Sequence, residues 1–489
     1  MSSSSVITEN TRPEPDKVLK EISNYIHNYN IDSCLAYETA KLCLLDSIGC
    51  GLAALKYDQP KNLIKPTVPG TIVPNGTRII GTSLIQDPIR GAFSIGTLIR
   101  WLDYNDCWLA AEWGHPSDNL GGILAISDYL TRSSKSRNEG KIFKIKDVLD
   151  GMIRAHEIQG ILALENSFNN VGLDHVALVK IATTAVVSKL VGLSYDKTID
   201  ALSHAFADGQ SLRTYRHVPN TMSRKSWAAG DAVSRAVNLV YHVKNGESGM
   251  PSVLTAKRWG FYDVSFKGQE FIFQRPYGSY VMENILFKIS FPAEFHAQTA
   301  MEASLIIHKE LKDLGRDHKD IKSVKIRTQE AAMKIIDKKG PLHNYADRDH
   351  CIQYMVAIPL IYGRLTADDY GDAIASNPAI DELREKMYCV EDKQLTVDYY
   401  DPLKRYIGNS LTVEMNDGTI LSEVKIDYPI GHRRRREEGK PLLFAKFEKH
   451  VKDHFEDKTK QDTILRASYD ENLENMEVDK FVDLFIPDS

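Results

Sequence analysis

Residues 100–122 read RWLDYNDCWLAAEWGHPSDNLGG and gather Asp103, Asn105, Asp106, Cys107, Glu112, His115 and Asp118 among three tryptophans. Gly, Pro and Asn oppose a helix interior, and three indoles are too apolar for a plain solvent loop. Carboxylates and an imidazole held against indole rings are partly desolvated, which moves pKa values towards those that acid–base chemistry uses. A structural loop with helix-capping carboxylates would draw on the same residue types, and Ser117-Asp118-Asn119 ahead of Leu120 reads as an N-cap. The density of ionisable groups favours a site.

Four further segments carry candidate chemistry. In ALENSFNNVGLDHVALVK, residues 163–180, His175 follows Gly172 and Asp174 and opens an apolar helix. There it either caps the helix or serves as a base kept neutral by the helix dipole. His156, inside RAHEIQ, reads as structural. In residues 208–231, Arg213, Arg216, His217, Arg224 and Lys225 interleave with Tyr215 and Trp227 ahead of a helix. Guanidinium forks, ammonium groups and helix-end N–H groups converge well on carboxylates. FKISFPAEFH places Lys288, Glu294 and His296 at an expected domain junction, where ligand clefts are common. NYADRDHCIQY supplies Arg348, Asp349, His350 and Tyr354, whose charges alternatively form an ion-pair network. Arg433–Arg436, followed by two glutamates, reads as a solvated, internally paired surface.

The elements that position these residues are mostly helical. Leu35, Leu42, Leu45 and Ile48 keep one helical face, and helices are expected near 88–101, 119–132, 147–166, 176–192, 196–207 and 226–243. The pattern changes near Lys288. Val324, Ile326 and Thr328 alternate as a strand does, and SLTVEM and ILSEVKIDY flank Asp417-Gly418 as a hairpin. The expected architecture is mostly α. It comprises a flexible tail at 1–20, a helical domain at 21–287, an α+β lid domain at 288–430, and a helical segment at 431–489 that returns to the first domain.

Composition excludes several classes. Lys+Arg number 61 against 66 Asp+Glu, so no electrostatic footprint for nucleic acid exists. No apolar run approaches the ~20 residues of a membrane span. Six cysteines without a CxxC form neither a disulfide framework nor a usual zinc spacing, and Cys34, Cys43 and Cys50 fit an apolar helical stripe better than an iron–sulfur ligand set. Dinucleotide, P-loop, GxSxG and HExxH motifs are absent. No metal and no cofactor are expected. The N-terminus, acidic and hardly amphipathic, makes a poor mitochondrial presequence.

RWLDYNDCWLAAEWGHPSDNLGGILA, ENSFNNVGLDH, DGQSLRTYRH, SRKSWAAGDAVSRAV, VMENILFKISFPAEFHAQTA and ADRDHCIQYMVAIPL resemble the 2-methylcitrate dehydratase branch of the MmgE/PrpD family. That family also holds cis-aconitate decarboxylases, which carry a shorter loop before the histidine of AAEWGHPSDN. The resemblance implies a helical domain with an α+β lid, a homodimer, a small tricarboxylate substrate, no metal, and, for eukaryotic members, the mitochondrial matrix; a cytoplasmic location is the alternative. By resemblance the catalytic positions fall on Asp103, His115, His175 and Lys225. Cys107 stands where relatives carry threonine, and Lys288, His296 and Tyr354 fall near the remaining pocket positions. Arg213, Arg216 and His217 join them as carboxylate-binding candidates.

Dehydration of such a substrate removes a proton alpha to a carboxylate and expels a β-hydroxyl. Without a metal, cationic donors must hold the charge that develops. The two histidines are expected to share the acid and base roles, with Asp103 orienting an imidazole. The rival readings are decarboxylation of cis-aconitate and non-catalytic tricarboxylate binding.

Overall fold

The structure, a computed structural model, describes residues 10–401 and 403–488. Two long hydrophobic cores organise it. The first draws on residues from Val18 to Ile289 and again from Ile430 to Phe485, and the second on residues from Phe291 to Leu421. A small third cluster, which includes Cys107, Leu286, Phe295 and Tyr399, joins residues from both regions.

The first core is a helix assembly. Its main members are α1 (Lys17–Asn28), α2 (Cys34–Ala54), α3 (Pro88–Arg100), α4 (Leu120–Arg137), α5 (Ile145–Glu165), α6 (Val176–Leu190), α7 (Tyr195–Ala207) and α8 (Arg224–Lys244). Six of these meet the helices read from apolar periodicity. Helix α3 starts where Asp87 accepts from the N–H groups of Ile89 and Arg90 and Pro88 occupies the first helical position. Helix α1 begins at Lys17, inside the segment expected to be a tail, because buried Asp16 accepts from Leu254 N and Thr255 Oγ1. The first nine residues of that expected tail lie outside the described residues. Leu35, expected on the apolar face of α2, is exposed at the helix start, whereas Leu42, Leu45 and Ile48 are buried.

Helices α3, α4 and α8 touch backbone to backbone. A methyl group on Gly96 would lie 3.0 Å from Gly230 Cα, one on Gly121 2.7 Å from Gly96 Cα, and one on Gly230 2.6 Å from the Phe93 carbonyl. Only glycine permits such an approach. It fixes the C-terminal end of α3, which carries Arg100, against the N-terminal end of α8, which carries Lys225.

The second core covers one face of a four-stranded sheet, of order β4-β3-β5-β6. The strands are β3 (Ile321–Thr328), β4 (Met387–Glu391), β5 (Asn409–Met415) and β6 (Val424–Ile426), and a two-stranded ladder, β1 (Thr77–Arg78) with β2 (Ile85–Gln86), precedes them in the first region. The β3–β4 pair is parallel and the other two pairs antiparallel. The expected hairpin turns at Gly418, with φ +85°, although β6 begins only at Val424. Edge strand β4 was not legible in the sequence because MYCVE exposes Tyr388 and Val390. Helices α9 (Gln298–Asp313) and α10 (Ile352–Tyr362) pack under the sheet. The closing helices α11 (Arg436–His454) and α12 (Val478–Leu484) contribute Phe447, Val451, Phe481 and Val482 to the first core. The arginine run that opens α11 is more than a solvated surface. Arg435 pairs with Glu302 as well as Glu438, and Arg436 donates to the Ile285 carbonyl while stacking on Phe287.

Gly230→Ala should destabilise the protein by about 1–3 kcal/mol, the usual range for overpacking a tight contact. Urea unfolding checks this, and activity should fall with it because the same contact sets the spacing of Arg100 and Lys225.

Candidate active site

The loop after α3 is built to hold a carboxylate inside the protein. Asp103 is buried and adopts the left-handed conformation, φ +50°, which Asp tolerates better than most residues. Its side chain meets Arg100 Nη1 at 2.6 Å and the Lys288 ammonium, which also donates to the Asp103 carbonyl at 2.9 Å. Lys225 Nζ and His115 Nε2 stand 3.9 Å from its oxygens and His350 Nε2 4.0 Å. Burial alone would raise the Asp103 pKa, but Arg100, Lys288 and Lys225 outweigh it and hold the carboxyl well below its ordinary range.

The rest of the loop is pinned from beneath. Asp106 accepts from Ser117 N–H at 3.1 Å and pairs with His156 Nε2 at 2.8 Å, which gives His156 the structural place read from the sequence. Asn119, expected to help cap α4, makes no capping bond. Its amide instead joins Pro116, Gln159 and Thr183. Trp108 and Gly114 pair through their backbones, so the chain between them projects Glu112 and Trp113. Trp113 packs on His296 with ring centres 4.1 Å apart.

These elements close around a narrow cavity lined by Arg100, Asp103, Cys107, Trp113, His115, His175, Arg213, Arg216 and His217, by Lys288, and by Glu294, His296 and His350 from the second region. Ten of the eleven residues expected at the site are either on this wall or directly behind it. Lys225 is behind it: its Nζ donates to Asp349 at 2.9 Å. Tyr354 is the exception and corrects the expectation. Its hydroxyl donates to the Asp369 carbonyl and its ring stacks near Tyr370 inside the second core, because α10 turns that face to the sheet rather than to the cavity. His217 is exposed and accepts from Arg213 Nε at 3.2 Å.

Each imidazole is in a distinct state. The Asp106 carbonyl, 2.6 Å from His115 Nδ1, requires a proton on that nitrogen, and Arg100, a donor only, requires a lone pair on Nε2 at 3.0 Å. His115 is therefore neutral with both nitrogens engaged. Burial, then Arg100 and Lys288, lower its pKa well below the ordinary value. His296 is also engaged on both sides, by Glu294 at 2.7 Å and Tyr399 at 3.1 Å. His175 differs. Its Nδ1 faces Asp174 at 3.2 Å, while its buried Nε2 has no partner among the described residues. Burial lowers its pKa well below normal; Asp174 opposes that, and Arg216, Arg213 and Arg100 reinforce it. Arg216 binds Asp174 through Nε and leaves Nη2 buried without a partner among the described residues. Arg213 pairs with Glu112 at 3.3 Å, a carboxyl that burial pushes up to about 7 against the pull of Arg213. Burial pushes the Cys107 thiol up as well, so it stays neutral.

One residue essential to this arrangement, Arg100, escaped the sequence reading. It looked like the end of a helix, although its position three residues before Asp103 on the same chain turn was a usable signal. His350 was read within a candidate segment, with an ion-pair network as the alternative, but was not carried into the expected site.

A larger cavity, about 670 Å³, lies behind Leu102 and Tyr104. Its walls are mainly apolar, and its lysines Lys56, Lys446 and Lys449 pair with Asp368, Asp46 and Asp453. Its two imidazoles are turned to the frame, His454 to the Gly81 carbonyl at 3.0 Å and His450 edge-on to the Tyr104 ring, whereas the candidate residues read from the sequence gather at the smaller cavity.

Two clusters bring three possible metal ligands within 4.8 Å of one another: Cys43, Asp106 and His156, and Asp103, Asp349 and His350. Neither suits a divalent cation. In the second, Arg100, Lys288 and Lys225 already stand where a metal would be repelled. In the first, Asp106 is committed to Ser117 and His156, and burial keeps the Cys43 thiol protonated.

Comparison with known proteins matches residues 20–274 to the MmgE/PrpD N-terminal domain and residues 291–471 to the MmgE/PrpD C-terminal domain. The chain is 68% identical to the "2-methylcitrate dehydratase, mitochondrial" of Yarrowia lipolytica, an alignment covering 99% of this chain and 92% of the relative. It is 65% identical to the "Probable 2-methylcitrate dehydratase" of Saccharomyces cerevisiae, over 99% of this chain and 95% of the relative. It is 58% identical to the "2-methylcitrate dehydratase" of Salmonella typhimurium, over 98% and 99%.

Exhaustive chelation should leave turnover unchanged, and metal analysis of active protein should find no stoichiometric iron or zinc. Cys107→Thr should keep activity within a few-fold in steady-state assays, because the neutral thiol fills space beside Leu286 and Phe295 and threonine nearly matches its volume.

Proposed function

Since the chain belongs to the MmgE/PrpD family, we propose that it is a hydro-lyase that dehydrates 2-methylcitrate to 2-methyl-cis-aconitate in the methylcitrate route of propionate breakdown. The observation that carries the mechanism is the pairing of two buried, unpartnered nitrogens, His175 Nε2 and Arg216 Nη2, in a cavity walled by cations. A buried polar atom without a partner costs free energy unless a ligand completes it. A free imidazole nitrogen beside a free guanidinium N–H suits a carboxylate with an acidic C–H next to it.

His175 takes the proton alpha to the carboxylate. Asp174 Oδ1 lies 3.2 Å from Nδ1 and favours the proton there, which leaves the lone pair on Nε2. The charge that develops on the carboxylate is held by Arg216, Arg213 and Lys288, which are already oriented by Asp174, Glu112 and Asp103. Such preorganised donors require little rearrangement in the transition state. His115 orders the wall: through Arg100 it is tied to Asp103 and through Nδ1 to the loop backbone. Lys225 steadies Asp349 and thereby the second region over the cavity, which we read as a lid. The domain division at 288 and 430 and a homodimeric assembly are part of this proposal. So is the mitochondrial matrix, supported by the name of the Yarrowia relative.

Incubation of purified protein with 2-methylcitrate, followed by NMR, should give 2-methyl-cis-aconitate. Release of carbon dioxide from cis-aconitate in its place would overturn the reading. His175→Gln should lower kcat by ~10²–10⁴-fold, with the thermal unfolding midpoint near that of the parent protein.

A further inference from the structure

The base has a free nitrogen, but the acid expected alongside it does not. Both nitrogens of His115 are engaged, by the Asp106 carbonyl and by Arg100, and both nitrogens of His296, by Glu294 and Tyr399. His217 is exposed and bonded to Arg213. Cys107 holds its proton too firmly to exchange it readily. One imidazole on the wall remains.

His350 repeats the design of His175 from the other core. Each is the second residue of an Asp-His dipeptide, and each turns Nδ1 to its own aspartate, at 3.2 Å for Asp174–His175 and 2.7 Å for Asp349–His350. A carboxylate at Nδ1 fixes the proton there, so Nε2 is the nitrogen left for chemistry. His350 lines the cavity, and Nε2 makes no hydrogen bond among the described residues; Asp103 Oδ2 lies 4.0 Å away.

The charged groups around the two rings differ. His175 shares its aspartate with Arg216 and also faces Arg213 and Arg100. His350 faces two carboxylates, Asp349 and Asp103, with Lys225 as the opposing cation. Burial lowers both pKa values; Arg216, Arg213 and Arg100 add to it at His175, and Lys225 adds to it at His350. His350 enters the reaction as the imidazolium when the negative charge of a bound tricarboxylate joins that of Asp349 and Asp103 around it.

We propose that His350 is the proton donor to the leaving hydroxyl, acting opposite His175. The assignment rests on the dehydratase reading above. His175 Nε2 takes the α proton, and the C–H electron pair becomes the second bond of the new C=C. The C–O bond breaks, its pair leaves with the oxygen, and that oxygen takes the proton from His350 Nε2 to depart as water. His175 ends protonated and His350 neutral, with Nδ1–H still on Asp349. Solvent then removes one proton and supplies the other, with no change of oxidation state in the protein.

The test compares His350→Gln and His350→Asn with His175→Gln on 2-methylcitrate and on an analogue with chloride in place of the β-hydroxyl, since chloride departs without a proton. The His350 variants should lose ~10²–10⁴-fold in kcat on 2-methylcitrate, with KM within a few-fold, yet eliminate chloride at close to the parental rate. His175→Gln should fail on both. A His350 variant that dehydrates 2-methylcitrate normally, or loses both reactions in equal proportion, would overturn the assignment while leaving the dehydratase reading in place. Parent protein inert on 2-methylcitrate would overturn both.

Discussion

The site depends on keeping the Asp103 carboxylate charged inside the protein. An isolated buried carboxylate would take up a proton or stay in water. Here Arg100 from the end of α3 and Lys288 from the junction between the two cores converge on it. Removing one partner of such a pair typically costs about 3–5 kcal/mol, because the other charge is left buried and unpaired. The close crossing of α3, α4 and α8 at Gly96, Gly121 and Gly230 fixes the backbone from which Arg100 and Lys225 reach this carboxylate. The left-handed turn at Asp103 then directs it to the cavity side.

From that anchor the cavity acquires its character by paired neutralisation. Arg213 is held by Glu112, Arg216 by Asp174 and Lys225 by Asp349. Each carboxylate orients a cation and reduces its self-repulsion with the others, so several positive groups share a small volume before any substrate enters. An elimination stabilised by such donors needs them in place when charge develops on the substrate. The larger cavity behind Tyr104 shows the contrast. It has room, but its lysines are matched to acids, and its imidazoles, His450 and His454, pack on Tyr104 and bond the Gly81 carbonyl.

The division of labour between the cores follows the same logic. The helical core supplies His175 and most cations, and the second core supplies His350, Glu294 and His296. Lys446 of α11 braces the junction: its ammonium pairs with Asp46 and donates to the carbonyls of Tyr104 and Lys288, the residues that flank and carry the Asp103 contacts. Closing the chain on α2 thus stiffens the backbone behind the site.

Local pattern determined much of this protein. Apolar periodicity located the helices around the site, and Asp417-Gly418 marked the hairpin. Dense clusters of Trp, His, Asp and Arg marked the segments that meet at the cavity, and their wording placed the chain in its family. Those signals are carried by neighbours in sequence, through helical spacing, turn chemistry and composition. Tertiary structure decided which nitrogen of each imidazole is free. Arg100 closes off His115, Tyr399 closes off His296 across 103 residues, and α10 turns Tyr354 into the second core while His350 reaches the cavity. Such outcomes hang on sub-ångström distances between segments far apart in the chain, and a one-residue rotation of a helix reverses them. Periodicity reports which face is apolar, but not which polar atom on the opposite side meets a partner.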